Sequence, residues 1–288
     1  MKPINVLSLF DGMSCGRIAL ERAGIPVNQY YASEIDKHAI KVSKTNWTDV
    51  VHLGDVTKVS YKDGVLHTEN GDFNVGSIDL VIGGSPCQSF SSIGKGEGFD
   101  GKSGLFYEFL RLLCETNPKN FLLENVKMMY EHRNVISRKL GVEPHEINSA
   151  LFSAQNRKRL YWSNINYITD IRDKGIELKD VIDHSITEAR IPKNFIKRVP
   201  LSLPEYVDPY NKKELFNKST TLRTNVNNGN MWVKVQDYYR NLTVRECELL
   251  QTVDIGYTSC VSDNQAKKQL GNGWTVDVIA HILKGIKE

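Results

Sequence analysis

The sequence predicts an α/β protein: a wound parallel sheet with helices on both faces, joined to a small loop-rich domain. Three observations carry that reading. Between Pro3 and about Asn164 short apolar runs alternate with helix-like stretches, the mark of repeated strand-helix units. The run Ile78 to Ile82, apolar but for Asp79, reads as a parallel strand covered on both sides. After about Asn166 the texture changes, with prolines at 192, 200, 204 and 209 and a stretch at 225–230 that is nearly all Asn and Gly.

In chain order, strands are predicted at 4–10, 29–33, 50–53, 78–82 and 120–123, with weaker signals at 143–150 and 159–165. Helices are predicted at 15–23, 37–45, 105–116 and 134–140. Residues 58–76 are polar and hold Asp63-Gly64 and Asn70-Gly71, so a surface hairpin is expected there. Helical patterning returns at 243–252, where Thr243 and Glu246 fit a capping box, and at 274–286, where Val276, Ile279, Ala280, Leu283 and Ile286 share a face. These elements suggest a sheet domain over 1–165, a second domain over 166–239 and a return to the first over 240–288.

Composition narrows the setting. The 288 residues, 25% charged and 40% hydrophobic, are ordinary for a soluble globular chain. Five cysteines (15, 87, 114, 247 and 260) form no CxxC pair and no metal-ligand spacing, so neither a disulfide framework nor a metal site is expected. With no targeting or membrane-spanning segment in the pattern, a cytoplasmic protein is expected; the oligomeric state stays open, a monomer being one option. Net charge is only +3, but residues 187–240 hold ten Lys or Arg against five Asp or Glu. That local excess is either a solvated face or a phosphate-binding surface.

The chemistry centres on Gly83-Gly84-Ser85-Pro86-Cys87-Gln88-Ser89. The two glycines allow a sharp turn after the apolar strand, and Cys87 should project past the carboxyl end of that strand, where open α/β sheets bind ligands. The residues behind it, with glycines at 94, 96, 98, 101 and 104, suit a loop that closes over a substrate. A lone cysteine can equally be an inert small hydrophobe. Further along, the turn Phe10-Asp11-Gly12-Met13-Ser14-Cys15-Gly16 brings backbone close to a ligand without the dinucleotide spacing. Glu34 ends the second strand, where an acid reads ribose hydroxyls, and Asp55 ends the third. Acids after three successive strands favour an adenosyl ligand without a phosphate chain. Glu124, directly after an apolar strand, should reach the same rim as Cys87, and partial burial would let it hold a proton near neutral pH. Arg157 and Arg159, on one side if their segment is extended, can grip a carboxylate, phosphate or base carbonyl.

Taken in order, Phe10-Asp11-Gly12, Glu34, Asp55, Pro86-Cys87-Gln88, Glu124-Asn125-Val126, Gln155-x-Arg157-x-Arg159, Arg240-x-Leu242-Thr243-x-Arg245-Glu246-x-x-x-Leu250-Gln251 and Gly271-Asn272 resemble the blocks of the DNA cytosine-5 methyltransferases. The likeness covers nearly everything except about 166–239. Gly83-Gly84-Ser85-Pro86-Cys87 and the stretch 105–113 look closer to the vertebrate de novo enzymes, whose regulatory domains are missing here, so a phage or bacterial enzyme is expected. Two departures stand out: Thr252-Val253-Asp254 where the family often has Gly-Phe-Pro, and Gly273-Trp274-Thr275 where it often has Ala-Val-Pro.

The resemblance implies a Rossmann-like S-adenosylmethionine-dependent methyltransferase sheet with a small target-recognition domain over 166–239, double-stranded DNA as partner, base flipping, and a setting such as restriction-modification. It implies Cys87 as nucleophile, Glu124 as the acid at ring nitrogen 3 of cytosine, and Arg157 and Arg159 holding the base and its phosphate. For S-adenosylmethionine it implies a pocket from Phe10, Asp11, Gly12, Gly16, Glu34, Ile35, Asp55, Val56, Ser85 and Asn272. Within it Phe10 and Ile35 would flank the adenine, with Glu34 on the ribose and Asp55 on the adenine amino group. Arg223, Thr224, Asn225, Asn227 and Asn228 are donors and acceptors suited to base edges. Two alternatives are a tRNA cytosine-5 methyltransferase, whose Cys-Phe-Thr with trailing tyrosines is absent here, and an inactive DNA-binding regulator, expected to have lost Cys87 or Glu124.

Overall fold

The computed structural model describes residues 1–86, 104–188, 190–192, 202, 204–224 and 230–287. Cys87, all but the last residue of the predicted closing loop, and Asn225, Asn227 and Asn228 lie outside them. The chain forms two compact units, one of Met1–Ile147, Lys158–Thr169 and Ile279–Glu288, the other of Asn148–Arg157 and Asp170–Val278. The structural division therefore differs from 1–165, 166–239 and 240–288: residues 240–278 group with the second unit, and only 279–288 return to the first.

In the first unit β1 (Ile4–Leu9), α1 (Cys15–Ala23), β2 (Val27–Ser33), α2 (Lys37–Asn46) and β3 (Val50–Gly54) follow the predicted alternation. A three-stranded antiparallel sheet comes next, β4 (Ser60–Lys62), β5 (Val65–Thr68) and β6 (Gly71–Asn74), one strand more than the expected hairpin. Asp63 (φ 50°) and Gly64 (φ 84°) turn β4 into β5 through two left-handed residues, the geometry that matches strand twist. Then come β7 (Leu80–Gly83), α3 (Leu105–Thr116), β8 (Asn120–Val126), α4 (Tyr130–Leu140), β9 (His145–Asn148) and β10 (Lys158–Ser163). The large sheet runs β3-β2-β1-β7-β8-β10-β9. The pairs from β3 to β8 are parallel, whereas β10 is antiparallel to β8, so the sheet is mixed rather than wholly parallel.

The long predicted strands appear because their apolar runs have nowhere else to go. Leu7, Leu9, Val81 and Leu123 are buried with Phe106, Phe109 and Leu112 from α3 in one core. Helix ends follow local chemistry. Asp36 accepts the His38 and Ala39 amides at 2.9 and 3.3 Å to start α2, and Gly24, left-handed at φ 65°, closes α1.

The second unit holds a four-stranded antiparallel sheet, β12-β11-β13-β14, from β11 (Tyr206–Asp208), β12 (Lys213–Leu215), β13 (Trp232–Val235) and β14 (Tyr238–Asn241), with Val207, Trp232 and Tyr239 as its small core. α5 (Val244–Leu250) starts at the expected capping box: the Glu246 amide donates to Thr243 Oγ1 at 3.2 Å and the Thr243 amide to Glu246 Oε2 at 2.8 Å. α6 (Asp263–Asn272) was not predicted, and α7 (Val276–Leu283) begins two residues later than expected.

Gly83 does not need left-handed backbone angles, contrary to expectation; it needs the absence of a side chain. A Cβ there would lie 2.9 Å from the Leu9 carbonyl oxygen and 3.0 Å from the Phe109 ring. Gly83→Ala should therefore destabilise the first unit by about 1–3 kcal/mol, read as a lower urea midpoint at unchanged slope.

Candidate active site

The carboxyl ends of β1, β2 and β3 carry Asp11, Glu34 and Asp55. The turn after β1 is tightly bent: Phe10, Gly12 and Ser14 have φ of 57°, 62° and 65°. A buried carboxylate fixes it. Ser8 and Ser14 donate to Asp11 Oδ1 and Oδ2 at 2.6 Å each, Tyr30 donates to Oδ1 at 2.7 Å, and the Asp11 amide donates to the Ser33 carbonyl at 3.0 Å. Because Ser14 gives its proton to Asp11, Ser43 must donate to Ser14 (2.6 Å), and the Ser43–His52 contact at 3.4 Å then makes His52 Nε2 the donor. Burial, then Lys44, pushes the His52 pKa down.

Asp11 is thus less a ligand group than the strut of its turn. Gly16 lies in the first turn of α1, buried. The Gly12 amide donates to Glu34 Oε2 at 2.8 Å, while Glu34 Oε1 accepts the Ile35 and Asp36 amides at 2.7 and 2.8 Å. This orients the Glu34 carboxylate at the mouth of the turn. Ile35 beside it is 73% exposed and Phe10 is half-buried, an unusual display for large apolar side chains. Asp55 Oδ1 caps the next turn, accepting the Thr57 amide at 2.9 Å, and Val56 packs beneath it. Arg111 of α3 steadies that turn from below, donating to the Val56 and Val59 carbonyls at 3.3 and 2.8 Å; the sequence pattern did not single it out.

A second cluster lies after β7 and β8. Asn125 donates through Nδ2 to Ser85 Oγ at 3.1 Å and to the Ser85 carbonyl at 3.3 Å, so the residue two before Cys87 is tied to the one beside Glu124. Glu124, 8% exposed, is ion-paired with Arg159, whose Nε lies 3.0 Å from Oε1. The antiparallel register pairs Tyr161 with Glu124, which makes Arg159 the diagonal neighbour on the same face.

Arg157 and Asn272 lie in the second unit. β10 begins only at Lys158, so strand alternation does not place Arg157 beside Arg159 as expected. Its guanidinium is 4% exposed and donates to the carbonyls of Leu222 (3.4 Å), Gly271 (3.3 Å) and Gly273 (2.9 Å). Asn272 ends α6 within that same 271–273 stretch. Among the described residues no group of three His, Cys, Asp or Glu is placed to hold a metal ion, and no helix is long and apolar enough to cross a membrane.

A mixed sheet with crossover helices, a glycine turn after the first strand and acids after the next two is the architecture of the S-adenosylmethionine-dependent methyltransferases. The fold matches that of the S. pombe Dnmt2 methyltransferase with a TM-score of 0.71 over 98% of both chains at 18% identity, and that of the Entamoeba histolytica methyltransferase EhMeth with 0.70 over 99% and 98%. The model of the C-5 cytosine-specific DNA methylases matches residues 4–190 and 183–288, and the chain belongs to that family of DNA methyltransferases. It is 31% identical to the type II methyltransferase M1.ScrFI of Lactococcus lactis subsp. cremoris over 98% of this chain and 78% of that one. It is 34% identical to the orphan methyltransferase M.SPRI of Bacillus phage SPR over 56% of this chain, spanning 37% of that protein.

Burial raises the Asp11 pKa from an ordinary 3.8 to about 6, outweighing the three hydroxyl donors that favour the charged form. A raised acid binds its proton more tightly when folded, so this contribution to stability is full below about pH 4 and is lost as pH rises through about 6. Urea denaturation across pH 4–7 should show a wild-type decline, on the order of 2 kcal/mol, that Asp11→Asn lacks.

Proposed function

We propose that this protein methylates carbon 5 of a cytosine flipped out of duplex DNA, using S-adenosylmethionine and a transient bond to Cys87. Beyond family membership, the supporting observation is the pair of ties at one sheet edge: Ser85, two residues before Cys87, to Asn125, and Glu124 to Arg159. The chain's approach to the nucleophile and the acid are therefore built on adjacent strands.

The donor set suits the cofactor. Glu34 offers a carboxylate to ribose hydroxyls, Phe10 and Ile35 present apolar surface for adenine, Asp55 accepts from its amino group, and backbone of the 10–16 turn, Val56 and Ser85 supply the rest of the first unit's share. S-adenosylmethionine, when bound, supplies the methyl group that the activated ring carbon takes up.

Carbon 5 of cytosine is a poor nucleophile. Addition of the Cys87 thiolate to carbon 6 forms an S–C bond and turns the ring into an enamine, with electron density at carbon 5. Glu124 supplies a proton or hydrogen bond to ring nitrogen 3, so the negative charge that addition would build there is neutralised. Arg159, already on Glu124, orients that carboxyl and can donate to the base carbonyl. After methylation, loss of the proton on carbon 5 to a base re-forms the ring double bond and expels the Cys87 thiolate, and Glu124 recovers its proton. Base flipping costs a few kcal/mol, which contacts from the 87–104 segment and the 166–239 domain would offset. We assign base reading to the latter, with Arg223, Thr224, Asn225, Asn227 and Asn228 at the base edges. Bacterial cytoplasm, with or without a companion restriction enzyme, is the setting this reading expects.

Duplex DNA containing 5-fluorocytosine tests the chemistry, because fluorine at carbon 5 cannot leave as a proton and traps the adduct. Wild-type protein with S-adenosylmethionine should give a stable protein-DNA adduct that Cys87→Ala lacks. Arg159→Ala should form it at least about a hundredfold more slowly. An adduct retained by Cys87→Ala would remove the nucleophile assignment, and one formed only on fluorocytosine RNA would move the substrate to tRNA.

A further inference from the structure

The geometry points to Arg157 as a positioning residue for sequence recognition, one that sets the 222–224 backbone rather than touching the base. The inference rests on the DNA-methylating reading above and gives one of its arginines a different task.

Four independent contacts of the second unit converge on 222–224. The Leu222 amide donates to Gln155 Oε1 at 2.8 Å and the Leu222 carbonyl accepts from Arg157 at 3.4 Å. The Arg223 amide donates to Asn230 Oδ1 at 2.8 Å. Gly271 supplies the fourth constraint: a Cβ there would lie 2.7 Å from the Arg223 carbonyl carbon and 3.0 Å from the Thr224 nitrogen, so the two backbones are in direct contact. Arg157 donates to carbonyls on both sides of that contact, Leu222 on one and Gly271 and Gly273 on the other. A guanidinium fork with fixed donor directions can hold two strands of backbone in register; an ammonium cannot.

What this mounts is a reader. Arg223 is half-buried, its guanidinium stacked 4.2 Å from the centre of the Tyr210 ring, and Tyr210 is 58% exposed. Backbone held from below by Gln155, Arg157 and Asn230 and a side chain held from the side by Tyr210 leave the Arg223 donors pre-aimed for a bidentate contact. A bidentate contact discriminates only if its donors are placed to within a fraction of a hydrogen-bond length.

The experiment methylates a pool of randomised duplexes and sequences the products, alongside single-turnover adduct formation on a preferred 5-fluorocytosine duplex. Arg157→Lys should form adduct within about threefold of the wild-type rate at saturating DNA while its preference between best and next-best sites falls about tenfold or more. Asn230→Ala, which touches the segment from the other side, should reproduce that loss and serves if Arg157→Lys proves unstable to heat. Arg159→Lys should do the reverse, slowing the adduct and keeping the preference. Arg157→Lys or Asn230→Ala with preference intact overturns the inference, as does an Arg157→Lys profile matching that of Arg159→Lys. A wild-type protein that forms no adduct on any DNA removes the underlying reading, and this assignment with it.

Discussion

The carboxylate of Asp11 is the constraint on which the ligand edge of the sheet depends. It gathers hydroxyls from β1 (Ser8), from the residue before α1 (Ser14) and from the neighbouring strand β2 (Tyr30). Those bonds hold Phe10 and Ser14 in left-handed conformations that cost non-glycine residues about 1 kcal/mol each. Only from that bent turn can the Gly12 amide reach Glu34. The acid that would read a ribose is thus aimed by another acid that need touch no ligand. Burying a carboxylate this way costs stability near neutral pH, as strained, polar functional edges generally do.

The second unit is held by a different kind of interaction. Beside the apolar cluster of Val207, Trp232 and Tyr239 it buries polar groups that pair with one another. Arg240 and Glu246, both with fully buried side chains, pair through two bonds of 2.9 and 2.7 Å, and the same Glu246 closes the capping box of α5. Gln155 donates to Gln251 Oε1 at 3.2 Å, Gln251 also accepts from the Thr275 hydroxyl, and Gln155 accepts the Leu222 amide. Such networks fix one arrangement because every alternative leaves a buried polar atom unpaired. Thr252 shows how a departure from the family is absorbed: it stands where a glycine is usual, takes φ 53°, and its hydroxyl accepts the Asp277 amide at 2.9 Å near the start of α7.

How much was legible follows the same divide. Strands β1, β7 and β8 could be read because runs dense in Leu, Val, Ile and Phe are the signature of burial on both faces, and α3 because its apolar period is strong. α6 could not: Asp263–Asn272 is buried through Lys267, Gln269 and Gly271 as well as Ala266 and Leu270, so no apolar stripe marks it. The strands of the second sheet are three or four residues long, too short for alternation to register. Glu34 and Asp55 were legible as acids at strand ends. The role of Asp11 was not, because it is set by Ser8 and Tyr30, which look like ordinary strand residues; a serine inside a buried parallel strand was the available clue. Gly83 was flagged for the wrong physical reason, its backbone angles, when the constraint is the approach of Phe109.

The two arginines of Arg157-x-Arg159 show where sequence spacing stops being informative. Side chains two apart share a face only while both lie in one strand. β10 starts at Lys158, and the first compact unit resumes at that same residue, so Arg157 closes a segment of one unit and Arg159 is the second residue of a strand of the other. One guanidinium is drawn to backbone carbonyls, where planarity and fixed donors organise loops; the other meets a carboxylate, where charge orients an acid. The division between the compact units falls at the Arg157–Lys158 peptide bond, and that is enough to give two arginines of one short motif different partners.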